Sequence, residues 1–224
     1  MTNNTLLPGK EYLEPTFFID SDNEGIIVFA RRHTTGIDSD KDKAIALYYA
    51  VRDSFKYDPY HVDLKPERMK ASVLLENGFG YCVEKANLLA ASARAIGIPA
   101  RLGFSNVKNH LSSEKMIQVL QSDIFVFHGF AELWLNGRWV KASPAFNKQM
   151  CERFAVPATE FNGEDDAIFQ QYDAEGRRFM EYVKDHGSFA DLPRELFISE
   201  LKTFYPHLFV GVELNGETYR WDGE

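Results

Sequence analysis

The sequence predicts an α+β fold in which one cysteine-bearing helix packs on an antiparallel β-sheet. Three observations carry that expectation. An Ala-rich segment at about 82–96 sets Val83, Ala86, Leu89, Ala90 and Ala93 on one stripe at three- and four-residue spacing, the period of a helix with a buried face. Its small side chains let a neighbouring sheet approach closely. Strand-like runs at 124–135 and 138–143 flank Asn136-Gly137, a pair suited to a two-residue type I′ hairpin turn. Finally, 45% of the 224 residues are hydrophobic and 14% aromatic, enough for a sizeable core and too many for a disordered chain.

The other elements follow in order. Residues 1–36 read as an extended lead-in with a short strand at 26–30. Ser39 or Asp40 caps a helix whose apolar positions are Ala44, Leu47, Tyr48, Val51 and Phe55, ending near Tyr57-Asp58-Pro59. Residues 60–66 read as a loop, and 67–76 as a short helix stopped by Asn77-Gly78. After the cysteine helix, Gly97 is placed as its C-terminal cap and Pro99 forbids continuation. A strand is expected at 100–104, then a polar loop at 106–122 with a helical turn at 113–121. Past Pro144, residues 161–187 and 192–205 read as helices, the second opened by Asp191-Leu192-Pro193, and 210–221 as a terminal hairpin around Asn215-Gly216. No linker-like composition separates this end. Residues 1–224 are therefore expected to form a single domain, with a core at about 41–147 and a mainly helical C-terminal extension at about 148–224.

Composition narrows the function classes. The formal net charge is −8 and the basic residues are dispersed, which argues against nucleic acid or an acidic membrane surface as partner. No basic region followed by an apolar core opens the chain, and no apolar run approaches the ~18 residues needed to span a membrane. A cytoplasmic protein is expected. Two cysteines, Cys82 and Cys151, are too few for a disulfide scaffold. The histidines show no short-spaced ligand pair, no C-x-x-C occurs, and neither Asp20-Ser21-Asp22 nor Glu164-Asp165-Asp166 matches a calcium loop. No metal is expected. Nor is any cofactor, since there is no P-loop, dinucleotide fingerprint or Gly-x-Ser-x-Gly elbow.

The stretch 78–90 carries the clearest chemistry. A glycine-punctuated turn delivers Cys82 to the first turn of a helix, where the positive end of the dipole favours thiolate. With Asn136-Gly137 as the loop, Leu135 pairs with Arg138, Trp134 with Trp139, Glu132 with Lys141 and Phe130 with Ser143. His128, Phe130, Glu132 and Trp134 then share a face with Trp139, Lys141 and Ser143. Ser143 is a diagonal neighbour of His128, roughly 7–8 Å away at the backbone. A helix-start thiol and a histidine on a following strand form a candidate nucleophile and base, with a third residue to orient the ring. Glu132 reads as a structural partner of Lys141, and Trp134 and Trp139 as facing aromatics that pin the register. Tyr81 is expected to line the cleft beside the thiol, and Cys151 reads as an incidental thiol.

From about Ala44 to Phe146 the sequence resembles the transglutaminase-like superfamily of papain-related cysteine enzymes. The matching pieces are Gly80-Tyr81-Cys82-Val83-Glu84-Lys85-Ala86-Asn87-Leu88-Leu89, then Ala95-Ile96-Gly97-Ile98-Pro99-Ala100-Arg101, then His128 through Val140 and on to Ser143-Pro144. The resemblance implies a transglutaminase-like, papain-like arrangement with Cys82 as nucleophile and His128 as base. The family's third position is commonly Asp in an Asp-Pro pair, and here it is Ser143-Pro144. A serine can accept a hydrogen bond from the imidazole but cannot stabilise an imidazolium by charge. Asn147 is the alternative, because related papain-like enzymes orient the histidine with asparagine. By analogy with the fold, the Cys82 backbone N–H is an oxyanion donor. The expected function is a thiol-dependent amidase or peptidase acting on a peptide or amide substrate through a thioester. The alternative is a catalytically degenerate peptide-binding module that retains the fold.

Overall fold

The computed structural model describes residues 7–110, 113–169, 180–209 and 220–222. Its organising element is a four-stranded antiparallel sheet in the order β6-β5-β4-β7, made of β4 (Ala100–Asn109), β5 (Ile124–Leu135), β6 (Arg138–Ala142) and β7 (Met180–Phe189). Helix α4 (Cys82–Ala95) packs across β5. On its other sides lie α1 (Glu24–Thr34), α2 (Asp40–Ser54) and α3 (Ala71–Asn77). Two small ladders brace the rim: β1 (Lys56–Tyr57) runs parallel to β3 (Phe79–Gly80), and β2 (His61–Asp63) runs antiparallel to β8 (Arg220–Asp222). Short helices α5 (Glu114–Leu120) and α6 (Lys148–Arg153) precede and follow the hairpin, and α7 (Arg194–Phe204) packs near the start of β5.

The local signals explain most of these elements. Ser39 Oγ accepts the Asp42 N–H at 3.1 Å and starts α2. Gly78 adopts φ +73° and ends α3, a left-handed position that costs glycine nothing. The hairpin has the expected register from Leu135↔Arg138 through Trp134↔Trp139 and Glu132↔Lys141 to Ala131↔Ala142. There the ladder ends: the Ser143 N–H turns to the Ala167 carbonyl at 2.8 Å, so Phe130 and Ser143 form no backbone pair. Trp134 and Trp139 meet edge-on, 5.4 Å between centroids.

Four expectations change. Residues 26–30 are helical, because Ile26 and Ala30 are buried one turn apart while Val28 between them is 59% exposed. Residues 61–63 form strand β2 instead of a loop. The strand begun at Ala100 runs on to Asn109. Within 161–187, Met180 onward is strand, not helix: β7 pairs with β4 along its length. The C-terminal extension thus contributes one edge of the main sheet. Of the expected terminal hairpin, 210–219 lies outside the described residues, and Arg220–Asp222 pairs with β2.

Two features set the geometry at the start of α4. Gly129 on β5 faces the helix so closely that a Cβ there would stand 2.9 Å from the Val83 Cα. Gly129→Ala is expected to cost about 1–3 kcal/mol through this overpacking, read as a lower urea midpoint with unchanged slope. The second feature is a bulge in β5. Between Ser105↔His128 and Val107↔Phe125 the strand carries an extra residue, and Phe127 takes φ +60°. The Phe127 N–H leaves the ladder and donates to Asn106 Oδ1 at 3.0 Å. The side-chain alternation is therefore reset immediately before His128.

Candidate active site

Cys82 is the first residue of α4. Its turn is secured by Glu84, whose Oε2 accepts the Tyr81 N–H at 3.0 Å, the reciprocal half of a capping box. Burial raises the Glu84 carboxyl to about 8. The cysteine itself is 9% exposed, and burial pushes its thiol up to about 11. The nearby backbone N–H groups of Gly129, Val83 and Cys82 pull the other way, but burial prevails. The dipole-driven thiolate expected from sequence is thus outweighed by desolvation. Alkylation of Cys82 by iodoacetamide should accordingly have a pH midpoint above that of a free thiol. A midpoint below it, measured by intact mass across pH, would refute the buried neutral thiol.

His128 lies on β5 directly after the bulge and is 4% exposed. Its Nε2 lies 3.3 Å from Ser143 Oγ. Burial depresses the imidazole to about 3, so the ring is neutral over the physiological range. The Phe169 ring packs on it at 4.6 Å between centroids, and Phe146 stacks on Phe169 at 4.6 Å.

Ser143 is pinned on both sides. Its carbonyl accepts the Tyr48 hydroxyl at 3.0 Å, and its N–H donates to Ala167. Asn147 sits four residues further on and is used differently, its Oδ1 accepting the Tyr57 N–H at 3.2 Å. Glu132 stands opposite Lys141 in register, but its carboxylate bonds Arg101 Nε and Ser188 Oγ, while Lys141 lies over the Phe130 ring. Cys151 is buried on α6, away from the cavity described next.

Cys82, Tyr81 and His128 line one cavity of about 110 Å³. Tyr57, Phe125, Phe127 and Phe146 complete part of its wall, and Phe169, Phe197, Leu201 and Tyr205 close it from the C-terminal extension. The described hydrogen bond of His128 joins Nε2 to Ser143 Oγ and none joins the ring to Cys82, so Nδ1 has no described partner. Among the described residues no cluster of three His, Cys, Asp or Glu side chains is placed to hold a metal ion, and no helix is long and apolar enough to cross a membrane.

Three contributors were not singled out from sequence. Lys85, one residue beyond the capping glutamate, is fully buried and donates to the carbonyls of Arg52, Phe55 and Ala145 at 2.8, 2.9 and 2.8 Å. It ties the end of α2 to the loop that carries Ser143. No local signal marked it: Glu84, Lys85, Asn87, Ser92 and Arg94 lie on the half of the helix opposite the apolar stripe, the pattern of a solvated face, and the structure buries most of that half as well. Phe169 carries no local signal. Tyr205 accepts the Val126 N–H at 2.9 Å and donates to Ile124 O, anchoring β5 at its bulge from 79 residues away.

No curated protein matches the chain significantly. Among solved structures, the "Putative Cysteine Protease" of Cytophaga hutchinsonii is similar at 18% identity and TM-score 0.48, over 82% of this chain and 54% of that one. A "putative protease" of Parabacteroides distasonis is similar at 14% identity and TM-score 0.37, over 57% of this chain and 26% of that one. The chain thus spans about half the length of the first and about a quarter of the second. The family model of the transglutaminase-like superfamily matches residues 28–144, from α1 through the Ser143-Pro144 pair. That match covers just over half of the sequence, and the chain belongs to the transglutaminase-like superfamily.

Proposed function

We propose that the chain is a cysteine-dependent amidase or peptidase in which Cys82 is the nucleophile, His128 the general base and acid, and Ser143 the residue that orients the imidazole. The observation that carries this reading is the shared cavity: a helix-start thiol and a histidine held by a second side chain open into the same buried space. With Nε2–H donating to Ser143 Oγ, Nδ1 is the basic nitrogen, the tautomer a proton acceptor for the thiol requires. On substrate binding Cys82 passes its proton to His128, and the sulfur adds to the amide carbonyl. The Cys82 N–H, at the first turn of α4, and the Gly129 N–H on the strand packed against it are the candidate oxyanion donors. Collapse breaks the C–N bond as His128 protonates the departing amine. Water, deprotonated by the same ring, then hydrolyses the thioester.

The test is to trap the intermediate. Mixing the protein with an activated acyl donor should give an acyl adduct by intact mass, located on Cys82 and released by hydroxylamine. Wild-type protein that forms no adduct, or an adduct that persists in Cys82→Ala, would overturn the reading. The neutral Ser143 and the low pKa of His128 favour a second reading, a peptide-binding module without turnover. Substrate binding retained in Cys82→Ala, with no product from either protein, would support it.

A further inference from the structure

We infer that the cavity at Cys82 is an acyl-group pocket, and that the preferred substrate carries a compact apolar acyl group of roughly four to six carbon atoms and a polar amine leaving group. This deepens the reading of Cys82 as nucleophile and rests on it.

The wall of the cavity away from the thiol is hydrocarbon: Leu120, Val126, Phe127, Leu201 and Phe209 among others. The Tyr205 hydroxyl that reaches this region is already engaged by Ile124 O and the Val126 N–H. The remaining polar side chains on the lining, Tyr57, Tyr81 and Asn109, are few, so a carboxamide or carboxylate placed there would regain fewer hydrogen bonds than it loses from water, whereas an alkyl or aryl group would gain from desolvation. Size supports the assignment. An apolar cavity of about 150 Å³ takes a benzene ring, so the inner 110 Å³ suits a short alkyl tail, with the open side left for the rest of the substrate.

The contrast between this cavity and its neighbour sets the direction in which a substrate lies. A second, wider groove of about 520 Å³ shares Tyr57, Pro59, Asn109, Met116, Phe125 and Phe146 with the inner cavity. Its wall is mixed, with Met150, Phe154 and Val156 beside Lys56, Asp58, Gln149 and Arg153, so it suits a solvated leaving group better than the inner cavity does. An acyl donor seated with its carbonyl at Cys82 therefore directs its apolar end inward and its amine outward. Much of the inner wall comes from α7 and the turn after it, so the C-terminal extension determines acyl selectivity.

The experiment compares aminomethylcoumarin amides of acetyl, butanoyl, hexanoyl and carbamoylbutanoyl groups. kcat/KM should rise about fourfold per methylene from acetyl to hexanoyl. The carbamoylbutanoyl amide should be at least tenfold poorer than the hexanoyl one. Leu201→Phe, which fills the cavity, should reduce the hexanoyl-to-acetyl ratio at least tenfold, and Leu201→Ala should move the optimum to longer chains. Turnover that depends on Cys82 but shows no apolar preference would overturn this inference and leave the nucleophile in place. Turnover of none of the amides would instead overturn the enzyme reading. In that case binding of hexanamide and glutaramide to Cys82→Ala, followed by calorimetry, decides the pocket: tighter hexanamide binding, lost in Leu201→Phe, upholds it, and equal binding refutes it.

Discussion

Replacing His128 by glutamine is expected to lower turnover at about pH 7 by roughly 10³–10⁴-fold, near the upper end of what a general base contributes. The magnitude follows from the state of the thiol. With Cys82 pushed up to about 11, four pH units above neutrality, roughly one molecule in 10⁴ carries the thiolate without help. On the proposed reading His128 accepts that proton in the transition state, with its ring packed by Phe169 and bonded to Ser143. The sign of the pH dependence then distinguishes the two proteins. In the variant, the residual rate should climb about tenfold per pH unit toward the thiol pKa. In the wild type, kcat/KM should vary far less between the His128 value near 3 and the Cys82 value near 11. Rates measured from about pH 6 to 10 test this. Parallel profiles, or a loss below tenfold, would mean that His128 is not the base.

The parts of this arrangement written in local chemistry were readable from sequence, and the parts made by long-range pairing were not. Asn136-Gly137 fixed the hairpin, because a two-residue turn dictates every pairing that follows it. Ser39, Gly78 and Gly97 marked helix ends for the same kind of reason. Residues 26–30 misled because five consecutive apolar side chains have no visible period; only burial of Ile26 and Ala30 with Val28 outside reveals a helix. Strand β7 misled for a different reason. Its sequence, with Lys184, Asp185 and His186 in mid-strand, is that of a solvated edge, and its position depends on β4, more than 70 residues earlier. The candidate site divides along the same line. Cys82, His128 and Ser143 sit in or beside locally legible elements. The bulge that aims His128 depends on Asn106 across the sheet, and the ring that covers His128 comes from the extension. Neither leaves a pattern in the residues around the histidine.

Lys85→Met is expected to lower the unfolding free energy by about 3–5 kcal/mol, the cost of leaving three buried carbonyls without a donor less the relief of no longer burying an ammonium. Each ammonium N–H has its own acceptor, the carbonyls of Arg52, Phe55 and Ala145, at 2.8–2.9 Å. Burial draws the group toward about 7, while the three acceptors favour the charged form that supplies three donors. Two of those carbonyls belong to the last turn and cap of α2, where a helix leaves its carbonyls without intrahelical partners and a cation is favoured by the dipole. Methionine keeps the apolar stem and its packing but leaves three buried acceptors unmet, each costing about 1–3 kcal/mol. Relief from burying a charge offsets part of that sum, which brings the net cost into the stated range. The third acceptor makes the effect functional as well. Ala145 lies two residues from Ser143 and two from Asn147, so the loop that holds His128 loses its tie to the helix that carries Cys82. Urea unfolding gives the stability change, and the pH profile of the remaining turnover gives the positioning effect. Loss of stability alone would scale the profile without altering its shape, whereas a displaced Ser143 would shift the profile toward that of the His128→Gln protein. A stability loss below about 1 kcal/mol would show that the three carbonyls find other partners and that Lys85 does not join the two halves of the site.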